Sequence, residues 1–288
     1  MENIVEVRNV TKRHDQFSLN DISLDIKKGY ITGLIGPNGA GKTTLIQCLM
    51  QLIHIDDGQI SLFGKSHQED SVNIKEKIGF VYDENYFYED FTLEHNKRIV
   101  SMFYKQWDDK TFYHYLDRFK LSKYQKVKNL SKGMKIKFSL TVALSHHPQL
   151  IIMDEPTSGL DPIFRRELLD ILLEIIQDEN KAIFFSTHMV KDLEQVADYI
   201  AFLNEGELVF SDEKDAIIDR YAIVKGHKND LNQLDRSSII GIKESSLGFE
   251  ALLLNQSKLE DPLFVVEKPS LEDIMYYTVR GKHDDHSY

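Results

Sequence analysis

Gly36-Pro37-Asn38-Gly39-Ala40-Gly41-Lys42-Thr43 stands between an apolar run, residues 31–35, and a run with helical spacing, residues 44–50. The stretch satisfies G-x-x-x-x-G-K-[ST], a spacing that has chemical meaning where a buried strand turns into a helix. Glycines let consecutive backbone N–H groups point inward around one anion, and the following helix adds its positive N-terminal end. Lys42 is then placed to reach the β- and γ-phosphates of ATP or GTP. Thr43 supplies a hard oxygen for the magnesium ion that bridges them, and Thr44 continues the cradle.

Downstream, Leu150-Ile151-Ile152-Met153 delivers two carboxylates, Asp154 and Glu155, to the end of an apolar strand, and Pro156 stops it. Neighbouring side chains of an extended chain point different ways and can hold different tasks. Asp154 is placed to bind magnesium, through a water, and Glu155 to take a proton from the water that attacks the γ-phosphorus. An apolar run before two acids is ordinarily only a strand end; the phosphate loop upstream gives this one a chemical reading.

The remaining composition narrows the setting. With 46 acidic residues against 35 Lys plus Arg and a net charge of −11, the chain is ill suited to a nucleic-acid groove or to direct binding of anionic lipid. No uninterrupted apolar stretch approaches about 18 residues, and residues 1–13 read as a charged strand rather than a signal-peptide core. A soluble, unexported protein is expected. The single cysteine, Cys48, fits a reducing cytoplasm and lies on the apolar side of the loop helix, where packing is the expected role.

Residues 4–10 and 18–26 alternate apolar and polar side chains, the pattern of an antiparallel edge with one face buried. Residues 31–35, 78–81, 150–153 and 182–185 are continuous apolar runs, as in parallel strands covered on both faces. Helical spacing over 94–104, 110–119 and 138–144 marks a helical insertion between about Asp83 and Pro148. Beyond Ser211 the texture changes: short strands at 221–224 and 263–266, a polar connection at 226–235 and a capped helix at 270–277 make a small α+β appendage. His283-Asp284-Asp285-His286 has a spacing that a metal could use, but reads better as a tail, and the metal reading of His146 and His147 is discounted likewise.

Three further motifs, Leu130-Ser131-Lys132-Gly133-Met134, Ser158-Gly159-Leu160-Asp161 and Ser186-Thr187-His188, follow in an order and spacing that resemble the signature, D-loop and switch-histidine motifs of ABC-type ATPases. The resemblance covers roughly residues 4–211. It implies an α/β P-loop fold with a mixed central sheet, an antiparallel β-subdomain and a helical subdomain at about 84–148, followed by an accessory domain at 212–288. It also implies a head-to-tail pair, of two identical or two related ATPase subunits, sandwiching two ATP molecules. Ser131, Lys132, Gly133 and Met134 would meet the nucleotide bound by the loop of the other subunit, with Ser131 and Gly133 at its γ-phosphate. Asp161 would order the partner's loop, and His188 would hold the γ-phosphate and the attacking water.

The chain departs from the common family pattern in several places. Lys132 stands for a glycine and Met134 for a glutamine. After the strand at 78–81, Tyr82 and Asp83 replace the usual proline and magnesium-contacting glutamine, so Asp83 becomes a candidate metal ligand. His14 aligns with the adenine-stacking aromatic, and Phe17 is near enough to substitute. Tyr86-Phe87-Tyr88 and Phe91 read either as core of the helical insertion or as a groove for a coupling helix of a membrane subunit. The carboxyl-terminal pattern, with Leu271-Glu272-Asp273-Ile274-Met275, resembles ATPases of ABC-2-type bacterial exporters, including the bacitracin-resistance, Ytr-like and phenol-soluble-modulin peptide exporter groups. The expectation is an ATPase using ATP and magnesium, peripheral on the inner face of the cell membrane. It would power export of an amphipathic peptide, antibiotic or lipid-like cargo through a separate polytopic membrane subunit. A soluble ABC ATPase of another assembly, or a regulatory ATP binder with weak hydrolysis, are the alternatives.

Overall fold

The computed structural model describes residues 2–14, 16–83, 86–254 and 263–284, the last four by backbone alone. The metal reading of the tail therefore lies outside the described side chains. The chain divides into two compact units, Met1–Ser211 and Asp212–Tyr288. The first holds β1 (Asn3–Arg13), β2 (Ser18–Lys27), β3 (Ile31–Ile35), α1 (Lys42–Leu49), β4 (Asp57–Leu62), α2 (His67–Glu76) and β5 (Ile78–Val81). There follow α3 (Leu93–Ser101), α4 (Asp109–Arg118), α5 (Lys132–Leu144), β6 (Leu150–Met153), α6 (Pro162–Ile175), β7 (Ala182–Thr187), α7 (Val190–Val196), β8 (Tyr199–Asn204) and β9 (Glu207–Glu213), whose end crosses the boundary. The second unit holds α8 (Lys214–Arg220), β10 (Tyr221–Gly226), β11 (Ile239–Glu244), β12 (Phe249–Leu254), β13 (Val265–Glu267) and α9 (Leu271–Asp284).

The main sheet runs β5-β6-β7-β3-β8-β9. Its inner strands β3, β6, β7 and β8 are buried at every residue, which is why they read as unbroken apolar runs rather than as alternation. Parallel pairing sets β3 beside β7, with Ile35 opposite Thr187, and β6 beside β7, with Met153 opposite Phe185. The carboxyl ends of β3, β6 and β7 thus open side by side, the place where open α/β sheets hold ligands.

The alternating segments β1 and β2 do not border this sheet. They form their own antiparallel sheet, β2-β1-β4, with β1 in the middle. The partner β4 escapes a sequence reading because Asp57–Leu62 is mostly half-exposed and carries little apolar pattern. One buried cluster joins Val5, Val7 and Ile26 of this sheet to Leu45 and Leu49 of α1 and to Ile152 and Phe184 of the main sheet. Cys48 is part of it, and burial pushes its thiol up to about 11, so it packs and does not react at neutral pH.

The helical segment is built from α3, α4 and α5, around Phe112 and Phe138. Helix α5 begins at Lys132, ahead of the apolar stretch that announces it, because the Ser131 hydroxyl caps it by accepting from the Met134 N–H. His146 is buried, stacked on Tyr104 at 3.9 Å between ring centroids, with Nδ1 3.2 Å from the Glu76 carbonyl.

In the second unit the sheet order is β11-β12-β10-β13, antiparallel throughout. Strands β11 and β12 are additions to the sequence reading; β10, β13 and α9 fall near the expected strands and capped helix. Ser270 and Asp273 exchange hydrogen bonds at the start of α9. Gly241 lets α9 lie close on β11, since a Cβ there would sit 2.7 Å from the Tyr277 carbonyl oxygen.

Candidate active site

The glycines of 36–41 have separate reasons to lack a side chain. A Cβ on Gly36 would fall 2.2 Å from the Leu203 carbonyl oxygen, and one on Gly41 2.4 Å from the Phe17 ring. Gly39 and Gly41 take φ of +82° and +103°, a backbone region open to glycine. A Cβ on Gly39 would meet nothing within 4 Å, so its backbone conformation rather than crowding calls for glycine there. Pro37 and Ala40 close the turn through an Ala40 N–H to Pro37 carbonyl bond of 3.2 Å, and Asn38 is exposed at its tip. Gly41 is the N-cap of α1, whose helix therefore starts at Lys42, two residues earlier than its spacing suggests.

Lys42 is 6% exposed and donates to the carbonyls of Gly36 at 2.9 Å and Pro37 at 3.2 Å. Its ammonium also lies 3.3 Å from Glu155 Oε1. The Thr43 hydroxyl donates to Asp154 Oδ2 at 2.8 Å, while Thr44 continues α1. Asp154 is 2% exposed; burial pushes its carboxyl above the usual range, against the opposing pull of hydrogen bonds from Ser186 and Thr43. A carboxylate held this way gains from a cation beside it. Thr43 and Asp154 together present hard oxygens of the kind magnesium selects, so the donor set fits that ion.

Glu155 takes φ +47°, a left-handed conformation uncommon outside glycine. The turn swings its carboxylate away from Asp154 and toward His188, whose Nδ1 lies 2.7 Å from Oε2. Glu155 thus stands between a buried ammonium and an imidazole. Ser186 supports both acids from the neighbouring strand: its hydroxyl donates to Asp154 Oδ1 at 2.5 Å and accepts the Glu155 N–H at 2.9 Å. In the linear motif Ser186 has no task of its own. Only the β6–β7 register shows one.

The other expected site residues lie elsewhere on the first unit. Ser131 caps α5 and is exposed; Gly133 faces Leu160 and Phe164; Met134 is half-buried. Asp161 caps α6 by accepting from Ile163 and Phe164. Asp83 Oδ1 pairs with Lys132 Nζ at 2.6 Å, though the two are far apart in sequence, and its charge also reaches Asp154. His14 is exposed, whereas the Phe17 ring lies against Gly41. Behind α6 and α7, Arg165 and the buried Asp192 form an ion pair of 2.5 Å that joins the helices following Asp161 and His188.

A groove of about 480 Å³ lies beside the helical segment, lined by Gln47, Leu52, Tyr82, Tyr86, Val100 and Tyr104 among others. The aromatic stretch after Asp83 splits between the two readings made of it. The Phe87 ring packs inward on Phe138 at 4.5 Å, and Tyr86 is 64% exposed on the groove wall. Among the described residues no helix is long and apolar enough to cross a membrane.

The ABC transporter family model matches residues 19–158. The bacitracin transport ATP-binding protein BcrA of Enterococcus faecalis is 34% identical over 73% of this chain and 69% of its own length. The ABC transporter ATP-binding protein YtrB of Bacillus subtilis is 29% identical over 93% of this chain and 92% of its own. A solved ATP-binding subunit of an ABC transporter superposes with a TM-score of 0.68 at 27% identity, covering 74% of this chain and 91% of that one. The chain belongs to the ABC transporter family of ATP-binding subunits, and it is an ATPase of that family.

Proposed function

We propose that this chain is the ATP-hydrolysing subunit of an exporter, working as a pair of subunits that close around two ATP molecules and drive a separate polytopic membrane subunit. The observation that carries the proposal is the Lys42–Glu155–His188 arrangement at the ends of β3, β6 and β7, with Asp154 and Thr43 bonded beside it. The backbone of residues 36–41 and Lys42 would bind the phosphates, with Thr44 at the start of the helix. Phe17, on the loop, is better placed than His14 to face the adenine. Thr43 and Asp154 would hold magnesium, which supplies charge neutralisation between the β- and γ-phosphates. Asp83, engaged with Lys132, is left out of that set.

Glu155 would accept the proton of the attacking water, with the Lys42 ammonium 3.3 Å from its carboxylate and His188 orienting water and γ-phosphate. Its positive φ and the Ser186 hydroxyl on its N–H hold the backbone that carries the carboxylate, which is what a positioned base requires. Ser131, Lys132, Gly133 and Met134 stand at an exposed helix N-terminus, and completing a site with them falls to the second subunit's nucleotide; Asp161 would order the partner's loop.

The relatives named for bacitracin transport support a peptide or antibiotic cargo, with a lipid-like one as the chemical neighbour. The aromatic groove at Tyr86 and Leu52 would receive the membrane subunit, which would place the chain on the inner face of the cell membrane. The unit Asp212–Tyr288 would be an accessory domain. The test is affinity purification of tagged Glu155→Gln chain from detergent-solubilised native cells with ATP. A polytopic membrane protein in near-equal amount, diminished by Leu52→Glu, is expected. Recovery of soluble assemblies alone would replace this reading with a non-transport ATPase.

A further inference from the structure

Two of the chain's departures from its family's common motifs touch each other. Asp83 Oδ1 and Lys132 Nζ are 2.6 Å apart, with 42% and 45% of their side chains exposed. The Lys132 stem runs beside Gly159: a Cβ built there would lie 3.6 Å from Lys132 Cδ and 3.9 Å from Nζ. One lysine therefore links the turn after β5, the start of α5 and the turn before α6. Of these, the stretch after β5 and the chain around the start of α5 are tied twice more, by Glu89 to Lys135 at 3.1 Å and by Asp90 to Lys128 at 2.7 Å. The turn is also hung on the phosphate-loop helix, since Gln47 Nε2 donates to the Tyr82 hydroxyl at 2.8 Å. A cavity of about 280 Å³ lined by Tyr82, Asp83, Lys132, Lys135 and Ser139 leaves the lysine head room to move.

We propose that Asp83 and Lys132 form a latch: in the single subunit Asp83 holds the Lys132 ammonium, and closure of the pair transfers that ammonium to the γ-phosphate presented by the other subunit. This rests on the two-subunit reading above. The physical reason is competition for one cation. A half-exposed carboxylate–ammonium pair is weakly held, because water and salt screen it. A triphosphate terminus carries more charge and more acceptor oxygens than one carboxylate, and Lys is a mobile point charge on a flexible stem. Lys132 is thus a positioning cation for nucleotide that is withheld until the second subunit brings phosphate. Asp83 opposes closure by the strength of the pair.

The test uses full-length protein in a Glu155→Gln background and reads, by light scattering, the ATP concentration giving half-maximal dimer. Asp83→Asn is expected to lower that concentration about two- to fivefold, the range an exposed pair provides. Lys132→Met is expected to raise it, and Asp83→Asn added to Lys132→Met is expected to change nothing further. An equal effect of Asp83→Asn with and without Lys132 would overturn the latch, because Asp83 would then act on nucleotide or metal by itself. Absence of any effect would overturn it as an inert surface pair. Failure of the parent Glu155→Gln chain to dimerise at any ATP concentration would remove the two-subunit reading and the latch together, and differs visibly from the other outcomes.

Discussion

The strand ends of the main sheet and the amino end of α5 both carry the charges of a nucleotide site, and they hold them in opposite ways. At the strand ends Lys42 and Asp154 are buried, and each carboxylate has a fixed donor from a neighbouring element. At α5, Ser131 and Lys132 face solvent, and their partners are a local cap and a half-exposed ion pair. Burial makes the first set rigid, since an unpaired buried charge would be far more costly than an exposed one. Exposure makes the second set adjustable. On the proposed function, a single copy would preorganise the groups that bind phosphate and deprotonate water, while the groups meant for a second subunit's nucleotide would stay free to change partners.

The contrast breaks most plainly at Glu155. With Glu155 as the proposed proton acceptor, Glu155→Gln keeps the shape, and phosphate release is expected to fall by about 10²–10⁴-fold while ATP stays bound. Lys42→Ala should abolish binding instead, as measured by nucleotide fluorescence; equal binding in the two variants would contradict the roles given to them. A buried titratable group outside the site gives the next largest effect. Burial holds His146 down to about 4, against an ordinary value of 6.5. Between these values the unfolded chain takes up a proton that the folded chain does not, so stability falls as pH drops from about 6.5 to about 4, by roughly 3 kcal/mol. His146→Phe, which keeps the stack on Tyr104, should lose that much less in urea titrations between pH 7 and pH 4. Parallel pH profiles for the two chains would place the neutral imidazole elsewhere.

Ser186→Ala sharpens the comparison within the strand ends. It strips one donor from Asp154 and the acceptor of the Glu155 N–H, and a cost of about 1–3 kcal/mol in unfolding, with reduced hydrolysis, is expected. Unchanged stability would show that the buried network does not depend on it. On the adjustable side, Asp90→Asn should leave the urea midpoint of unfolding close to that of the parent chain, since its pair with Lys128 is a surface one. A marked drop there would mean that the outer pairs are as rigid as the inner cluster.

What could be read from the chain follows the same division. The phosphate loop, the strand delivering Asp154 and Glu155, and the parallel core strands are legible because short-range spacing and unbroken apolar runs determine them. The left-handed Glu155 and the double bond of Ser186 depend on the register of β6 against β7, which no local pattern encodes. Strands β4 and β11 leave little trace in the sequence, because half-exposed strands carry weak alternation. The Asp83–Lys132 contact joins residues distant in sequence; each looked like an isolated departure until the fold set them together. Phe17 against Gly41 is of the same kind, since only the packing of the three-stranded sheet shows which aromatic reaches the loop.

On the proposed function, one copy of the chain carries an incomplete site. Light scattering of Glu155→Gln chain with ATP and magnesium, beside the same chain carrying Lys42→Ala, addresses it directly. A mass of two chains for the first and one for the second is predicted. A single-chain mass for both, at nucleotide concentrations that saturate binding, would contradict it.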